Sequence, residues 1–150
     1  MQPDPGTIVV VEDNESDADV ARRAIEQWGG PGTRVVVAED GLRAAELLLP
    51  SRNLPADATP APALILIDIN LPGLDGVELL SRIRRHPPLR HVPVVMVSSS
   101  AEEEDVLRSY ERGCNGYVTK PVDCRTLRSL YASLANYWIR TNTSPRARLA

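Results

Sequence analysis

Four short apolar runs end on residues that can do chemistry. Glu12 and Asp13 follow TIVVV (7–11), Asp68 follows LILI (64–67), Ser98 to Ser100 follow VPVVMV (92–97), and Thr119 and Lys120 follow GYV (116–118). Brought to one place, the three carboxylates would repel one another and invite a hard divalent cation with oxygen ligands, for which Mg2+ keeping several waters is the natural candidate. Lys120 and Ser98, both hydrogen-bond donors, would suit a further anion such as a phosphate. The simplest assembly makes Asp68 a nucleophile toward a phosphoryl group, with Mg2+ and Lys120 countering charge on the equatorial oxygens of an in-line transfer. Its product is an aspartyl phosphate.

Such convergence requires the runs to lie side by side. They are short, β-branched and mostly without polar alternation, as are strands buried on both faces of a parallel sheet, and RVVVA (34–38) adds a fifth. Helical patterns lie between them. Val20, Ala21, Ala24, Ile25 and Trp28 share one face of a helix that Gly29 and Gly30 would stop. A second helix is expected from Gly41 to Leu49 with Asp40 as its cap, and a third after Asp75 and Gly76 through Val77, Leu80 and Ile83. Ser100 and Glu103 make a capping-box pattern before Val106, Leu107 and Tyr110, and Leu127, Leu130, Tyr131, Leu134 and Trp138 give a last stripe. Five strands alternating with five helices imply an α/β fold, a doubly wound five-stranded parallel sheet covered on both faces in three layers. In such sheets ligands gather outside the carboxyl ends of the strands, where the residues named above would stand. An aspartate ending a buried strand has a fixed position, and Pro72, Gly73 and Gly76 behind it would shape a tight loop.

The bounds agree with one compact domain. At 150 residues the chain can bury a core without disulfides, and a net charge of -3 with pI near 5.4 argues against a direct nucleic-acid partner. Cys114 and Cys124 have no C-x-x-C spacing, no secretion signal opens the chain, and no run of about eighteen apolar residues could span a membrane, so a cytoplasmic protein with free thiols is expected. The expected organisation is a leader at 1–6, one domain at 7–138 and a tail at 139–150. Residues 50–62, PSRNLPADATPAP, read as a surface connection, and the acidic run 102–105 as a solvated first turn of helix. His86 and His91 flank a proline turn with no ligand pattern near them and read as surface loop residues. Tyr131, Tyr137 and Trp138 on the last helix either close the core or offer a self-association surface.

Glu12-Asp13, Asp68, Ser98 and Lys120-Pro121 together resemble the receiver domain of two-component response regulators. Asp68 to Ser98 is 30 residues and Ser98 to Lys120 is 22, both as in that family. The resemblance covers 7–138 and implies a flavodoxin-like receiver fold with Asp68 as phosphoacceptor. It further implies Asp13 on Mg2+ directly, Glu12 mainly through water, and the backbone carbonyl of Asn70 as another ligand. Ser98 would be the hydroxyl that moves to the phosphoryl oxygen, Tyr117 the aromatic whose rotamer follows, and Lys120 a phosphoryl contact preceding Pro121 across a cis bond. Asn70 and Ser100 match positions that tune how fast water attacks the acyl phosphate. Taken by itself, Tyr117 could also be an ordinary half-buried strand residue, but a ring that is apolar inside with its hydroxyl in water favours the switch role.

Segments such as VVEDNESDA and SYERGCNGYVTKPVD are similar to stand-alone regulators paired with phytochrome-type kinases. The function implied is a single-domain switch that takes a phosphoryl group from a sensor histidine kinase, catalyses only its own phosphorylation and dephosphorylation, and alters its protein contacts. Twelve residues follow Trp138, too few for a helix-turn-helix, so output through partners or a phosphorelay, or a role as phosphate sink, is expected. The rival reading is a Mg2+-dependent phosphohydrolase with the same aspartyl nucleophile; it calls for an acid where Asn70 stands. A nucleotide-binding switch would need a G-x-x-x-x-G-K-[ST] loop, and none occurs.

Overall fold

The β-branched runs form five strands, β1 (Thr7–Val11), β2 (Arg34–Ala38), β3 (Leu64–Ile67), β4 (Val94–Ser98) and β5 (Gly116–Thr119). In the computed structural model, which describes residues 6–49 and 61–145, they pair in parallel in the order β2-β1-β3-β4-β5. Five helices cross between or follow them: α1 (Glu15–Trp28), α2 (Gly41–Leu48), α3 (Gly76–Arg85), α4 (Glu103–Glu111) and α5 (Cys124–Ala135). A 3-10 turn at Pro87–Leu89 leads into β4, which begins only after Pro93, a residue with no N–H for the ladder. Of the connection expected over 50–62, residues 50–60 lie outside those described, as do 1–5 of the expected leader and 146–150 of the expected tail.

Strand alternation divides the core in two. Ile8, Val10, Leu64, Leu66, Val95 and Val97 point to the side covered by α1 and α5, where Ala21, Ala24, Ile25, Leu127, Tyr131 and Leu134 meet them. Val9, Val11, Ile65, Ile67, Val94 and Met96 point the other way, onto Ala44 and Leu48 of α2 and Val77, Leu80 and Ile83 of α3. Fully burying one such side chain contributes about 1.5–3 kcal/mol, so the central strands are held firmly from both faces. Burial on both faces holds for β1, β3 and β4 only. The edge strands β2 and β5 stay half open, with Val36, Val37, Tyr117 and Val118 partly exposed, because an edge strand has one neighbour and incomplete helix cover.

Side-chain caps set the helix starts. Asn14, Asp40, Asp75 and Asp123 each accept the N–H three residues on, satisfying a donor that has no partner within the helix. The capping box expected at Ser100 and Glu103 does not form. Helix α4 starts later, with Glu102 at its N-cap and no side-chain cap bond, and the Ser100 hydroxyl donates instead to Asp105 at 2.6 Å. The apolar stripe expected on α4 is also not buried: Val106 is half-buried, and Leu107 and Tyr110 are 60% and 51% exposed, since α4 lies at the open β5 edge. Trp28 is 47% exposed at the end of α1.

At its far end α5 widens into a π-helical turn, Asn136–Thr141. Tyr131 is buried and Trp138 half-buried against the α1/α5 core, which leaves Tyr137 as the exposed ring of the three, edge-on to Trp138 with centroids 5.0 Å apart. Cys114 and Cys124 are free thiols. No helix among the described residues is long and apolar enough to cross a membrane.

Candidate functional site

Register brings the chemistry together. Val11 pairs with Ile67 across β1 and β3, and Ser98 with Thr119 across β4 and β5, so the residues after these strands emerge on one rim. The rim includes the switch in strand order between β1 and β3, where an open α/β sheet leaves a crevice. Main-chain bonds fix the exit of two strands: the Asp68 N–H donates to the Val11 carbonyl at 3.1 Å, and the Glu12 N–H to the Ala38 carbonyl at 3.0 Å.

The loop behind Asp68 is tight for a stated reason. Gly73 sits at φ +74°, a left-handed conformation, and a Cβ on Gly76 would stand 2.2 Å from the Asp68 carbonyl oxygen. Helix α3 therefore starts directly against the chain that carries Asp68. The Gly76 N–H donates to the Ile69 carbonyl at 3.0 Å, closing the loop.

Glu12, Asp13 and Asp68 each present a carboxylate oxygen, all within 4.8 Å of one another. Glu12 and Asp68 are buried and Asp13 is exposed, so the cluster opens to solvent on one side. An all-oxygen, multiply negative cluster with a solvent-facing member fits a divalent metal ion. The Asp68 carboxylate accepts the Asn70 N–H at 3.1 Å through Oδ1 and the Lys120 ammonium at 3.3 Å through Oδ2.

Lys120, the single lysine of the chain, donates to three carboxylates: Glu12 at 2.5 Å, Asp17 at 3.0 Å and Asp68 at 3.3 Å. Burial pushes Glu12 up from 4.5 to about 7, opposed by the Lys120 bond and by the Asn14 N–H, which donates to Glu12 Oε2 at 3.0 Å. For Lys120, burial acts to lower the pKa. The bond and charge of Glu12, with Asp68 and Asp17, outweigh it, and the ammonium titrates above its usual range. The cation is thus held charged by the acids it neutralises.

Beside this cluster lies a hydroxyl layer. Ser98, fully buried, accepts the Ser100 N–H at 3.1 Å, and its carbonyl accepts the Lys120 N–H at 2.6 Å. The Tyr117 hydroxyl donates to the Ser100 carbonyl at 2.7 Å, while its ring packs on the α2/α3 side of the core. The Lys120–Pro121 bond is trans, contrary to the cis bond implied by the family resemblance. Trans is the isomer an X–Pro amide favours by about 0.5–1 kcal/mol when nothing else decides.

The structure therefore brings Glu12, Asp13, Asp68, Asn70, Ser98 and Lys120 to one rim, with Tyr117 tied to the neighbouring loop. His86 caps the end of α3 and His91 lies exposed before β4, toward the opposite ends of the strands. Asp17 joins the site without having been expected there. As an acid in the first turn of α1 it has an ordinary local explanation, and only its 3.0 Å contact with Lys120, just past β5, reveals its partner.

Comparison with known proteins agrees with this geometry. The family described as "Response regulator receiver domain" matches residues 8–132. The probable methanogenesis regulatory protein FilR2 of Methanothrix harundinacea is 35% identical over 142 residues, 95% of this chain and 89% of that protein. Response regulator Rcp1 of Synechocystis is 33% identical over 143 residues, 95% of each chain; its Mn(2+)-bound crystal structure superposes with a TM-score of 0.83 at 32% identity, covering 94% of this chain and 99% of that one. The phosphorylated cyanobacterial phytochrome response regulator RcpA superposes equally well, TM-score 0.83 at 34% identity, over 93% of this chain and 98% of that one. With this sheet order, acidic rim and match along most of its length, the chain belongs to the response regulator receiver family, proteins that accept a phosphoryl group and signal by it.

Proposed function

We propose that Asp68 is the phosphoacceptor. The observation that carries this reading is the Asp68 carboxylate, fixed at the end of a buried strand, 3.3 Å from Lys120 Nζ and clustered with Glu12 and Asp13. In the transfer an Asp68 oxygen forms its bond to phosphorus as the donor's phosphorus–nitrogen bond breaks, and the imidazole of a kinase phosphohistidine leaves. Asp13 would hold Mg2+ directly and Glu12 mainly through water, with Asp68 and the Asn70 carbonyl as the remaining protein ligands. Bound Mg2+ supplies neutralisation of the charge on the transferred group.

Lys120 passes from the carboxylate it now contacts to a phosphoryl oxygen, and the Ser98 hydroxyl turns toward another. Ser98 accepts the Ser100 N–H, so its movement draws on the loop that Tyr117 grips, and the change at Asp68 reaches the surface through that ring. The donor is a sensor histidine kinase, and the likeness to the phytochrome response regulator RcpA favours a phytochrome-type one. Output is a changed affinity for protein partners in the cytoplasm, with Tyr137 as the exposed ring on which a homodimer would close. No catalysis beyond the chain's own phosphorylation and dephosphorylation is needed.

Incubation with acetyl phosphate and Mg2+, followed by intact mass, tests the assignment. The parent should gain one phosphoryl adduct and Asp68→Asn none; an adduct of equal yield on Asp68→Asn overturns it. Sedimentation with and without a phosphoryl analogue tests the dimer, which a monomer in both conditions rejects.

A further inference from the structure

Asp17 occupies the third position of α1, where an acid commonly turns back to the N-cap main-chain N–H in a capping box. That N–H is already taken. It belongs to Asn14 and donates to Glu12 Oε2 at 3.0 Å, while the Asn14 side chain accepts the Asp17 N–H at 3.0 Å. The helix start is thus capped without the Asp17 carboxylate, which reaches across to Lys120 Nζ at 3.0 Å. An ammonium has three hydrogens, and here Glu12, Asp17 and Asp68 take them. Two of those carboxylates belong to the cluster that fits a metal ion; Asp17 is outside it.

We infer that Asp17 is a positioning residue for phosphoryl transfer: it stays on the Lys120 ammonium while Glu12 and Asp68 turn to the cation and the phosphoryl group, and so keeps that ammonium aimed at the rim. The inference rests on Lys120 being the phosphoryl contact. A lysine is a point charge on a flexible stem, and one lasting partner on a rigid helix removes the freedom that would otherwise misplace it. The other two partners cannot serve, since each changes its own bonding during the reaction.

Two readouts test this. Lys120 is the only lysine, so a single acylating amine reagent in EDTA reports on it and on the N-terminal amine alone. Asp17→Ala should acylate Lys120 at least about threefold faster than the parent, because a released ammonium samples solvent more often. In phosphorylation by acetyl phosphate at saturating Mg2+, Asp17→Ala should be about tenfold slower, Asp17→Asn, which keeps an accepting oxygen, within about threefold of the parent, and Mg2+ affinity by calorimetry within about twofold. On a Lys120→Met background, Asp17→Ala should slow the residual rate no further.

Equal labelling and equal phosphorylation rates in Asp17→Ala and parent overturn the inference, as does the same loss on the Lys120→Met background. If Lys120→Met phosphorylates as fast as the parent, the phosphoryl-contact reading itself falls and takes this role with it. If Lys120→Met is slow and Asp17→Ala is not, only the role of Asp17 is lost.

Discussion

Two partly buried cations stand at opposite ends of the sheet, and their partners differ in kind. Lys120 follows β5 at the carboxyl rim and is held by three carboxylates. Arg84 lies toward the amino ends, where its guanidinium donates to the carbonyls of Gly113 at 2.8 Å, Leu89 at 3.2 Å, Arg90 at 3.2 Å and Val92 at 2.8 Å, and to Asn115 Oδ1 at 2.7 Å. No carboxylate pairs with it among the described residues. Burial lowers the Arg84 pKa, against a smaller opposing effect from Cys114, whereas at Lys120 the neighbouring acids outweigh burial.

The difference separates a brace from a working part. Main-chain carbonyls are set by the fold and have nothing else to bind, so a rigid fork of donors that satisfies several of them ties α3, the 3-10 turn, β4 and the approach to β5 together. Carboxylates are negotiable partners: of the three on Lys120, Glu12 and Asp68 stand in a cluster that fits a metal ion and can pass to it. If that distinction is right, the largest effect on folding comes from the end remote from the chemistry. Arg84→Met should lose about 3 kcal/mol of stability in urea unfolding, because several acceptors are left with only partial access to water. The folded fraction should phosphorylate at the parent rate. A stability change under about 0.5 kcal/mol would remove the brace from the comparison.

Lys120→Met sharpens the same contrast from the other side. Removing the ammonium leaves clustered carboxylates facing one another, and Glu12, already pushed up to about 7, can relieve part of the repulsion by taking a proton. The loss in EDTA should therefore stay near about 2 kcal/mol, below the usual penalty for orphaning one partner of a buried ion pair. Saturating Mg2+ should restore most of it, since a divalent cation replaces the missing charge. The Arg84→Met loss should not respond to Mg2+. A Lys120→Met loss that Mg2+ leaves untouched would mean that the two cations are the same kind of part.

The two ends were unequally legible in the sequence. Glu12 and Asp68 follow an apolar run directly and Lys120 follows one after Thr119, and the end of a strand is a local pattern, so their convergence follows once the sheet is parallel. Asp17 and Arg84 are different. The first reads as a helix-start acid and the second as one basic residue among Arg82, Arg84 and Arg85 near a helix end; their partners lie 103 and as far as 31 residues away. Nothing in the spacing of either residue announces such a partner. Helix α4 shows the converse failure: its apolar period is present, yet a helix at an open sheet edge has little to bury Leu107 and Tyr110 against. The trans bond at Pro121 departs from a family likeness rather than from any reading of the residues.

A smaller effect should appear on titration. Glu12 has its pKa raised by burial to about 7, so at lower pH it is protonated and contributes no charge to the metal cluster. Mg2+ affinity, followed by calorimetry, should therefore rise about tenfold between pH 6 and pH 8. In EDTA the sign reverses. A folded-state pKa raised above the unfolded value means that the folded chain binds the proton more tightly, so this contribution is present in acid and is lost as pH rises through about 7. The urea midpoint should fall over the interval in which Mg2+ affinity climbs. A midpoint that rises instead, with Mg2+ affinity flat, would show Glu12 ionised throughout.

The smallest effect concerns a neutral bond placed at the working end. The Tyr117 hydroxyl donates to the Ser100 carbonyl at 2.7 Å, the same kind of acceptor that braces Arg84, but on the residue whose N–H donates to Ser98. Tyr117→Phe leaves the ring packed and removes one hydrogen bond, so the unphosphorylated protein should lose about 1 kcal/mol. If Ser98 draws the loop toward the phosphoryl group, that bond is already broken in the activated state, and the substitution should change nothing there. Urea unfolding in Mg2+ with and without beryllofluoride separates the two states. A loss confined to the free protein means that the bond opposes activation and its removal shifts the population toward the active form. Equal losses in both states mean that the loop stays where it is, and that a carbonyl partner is a brace at either end of the sheet.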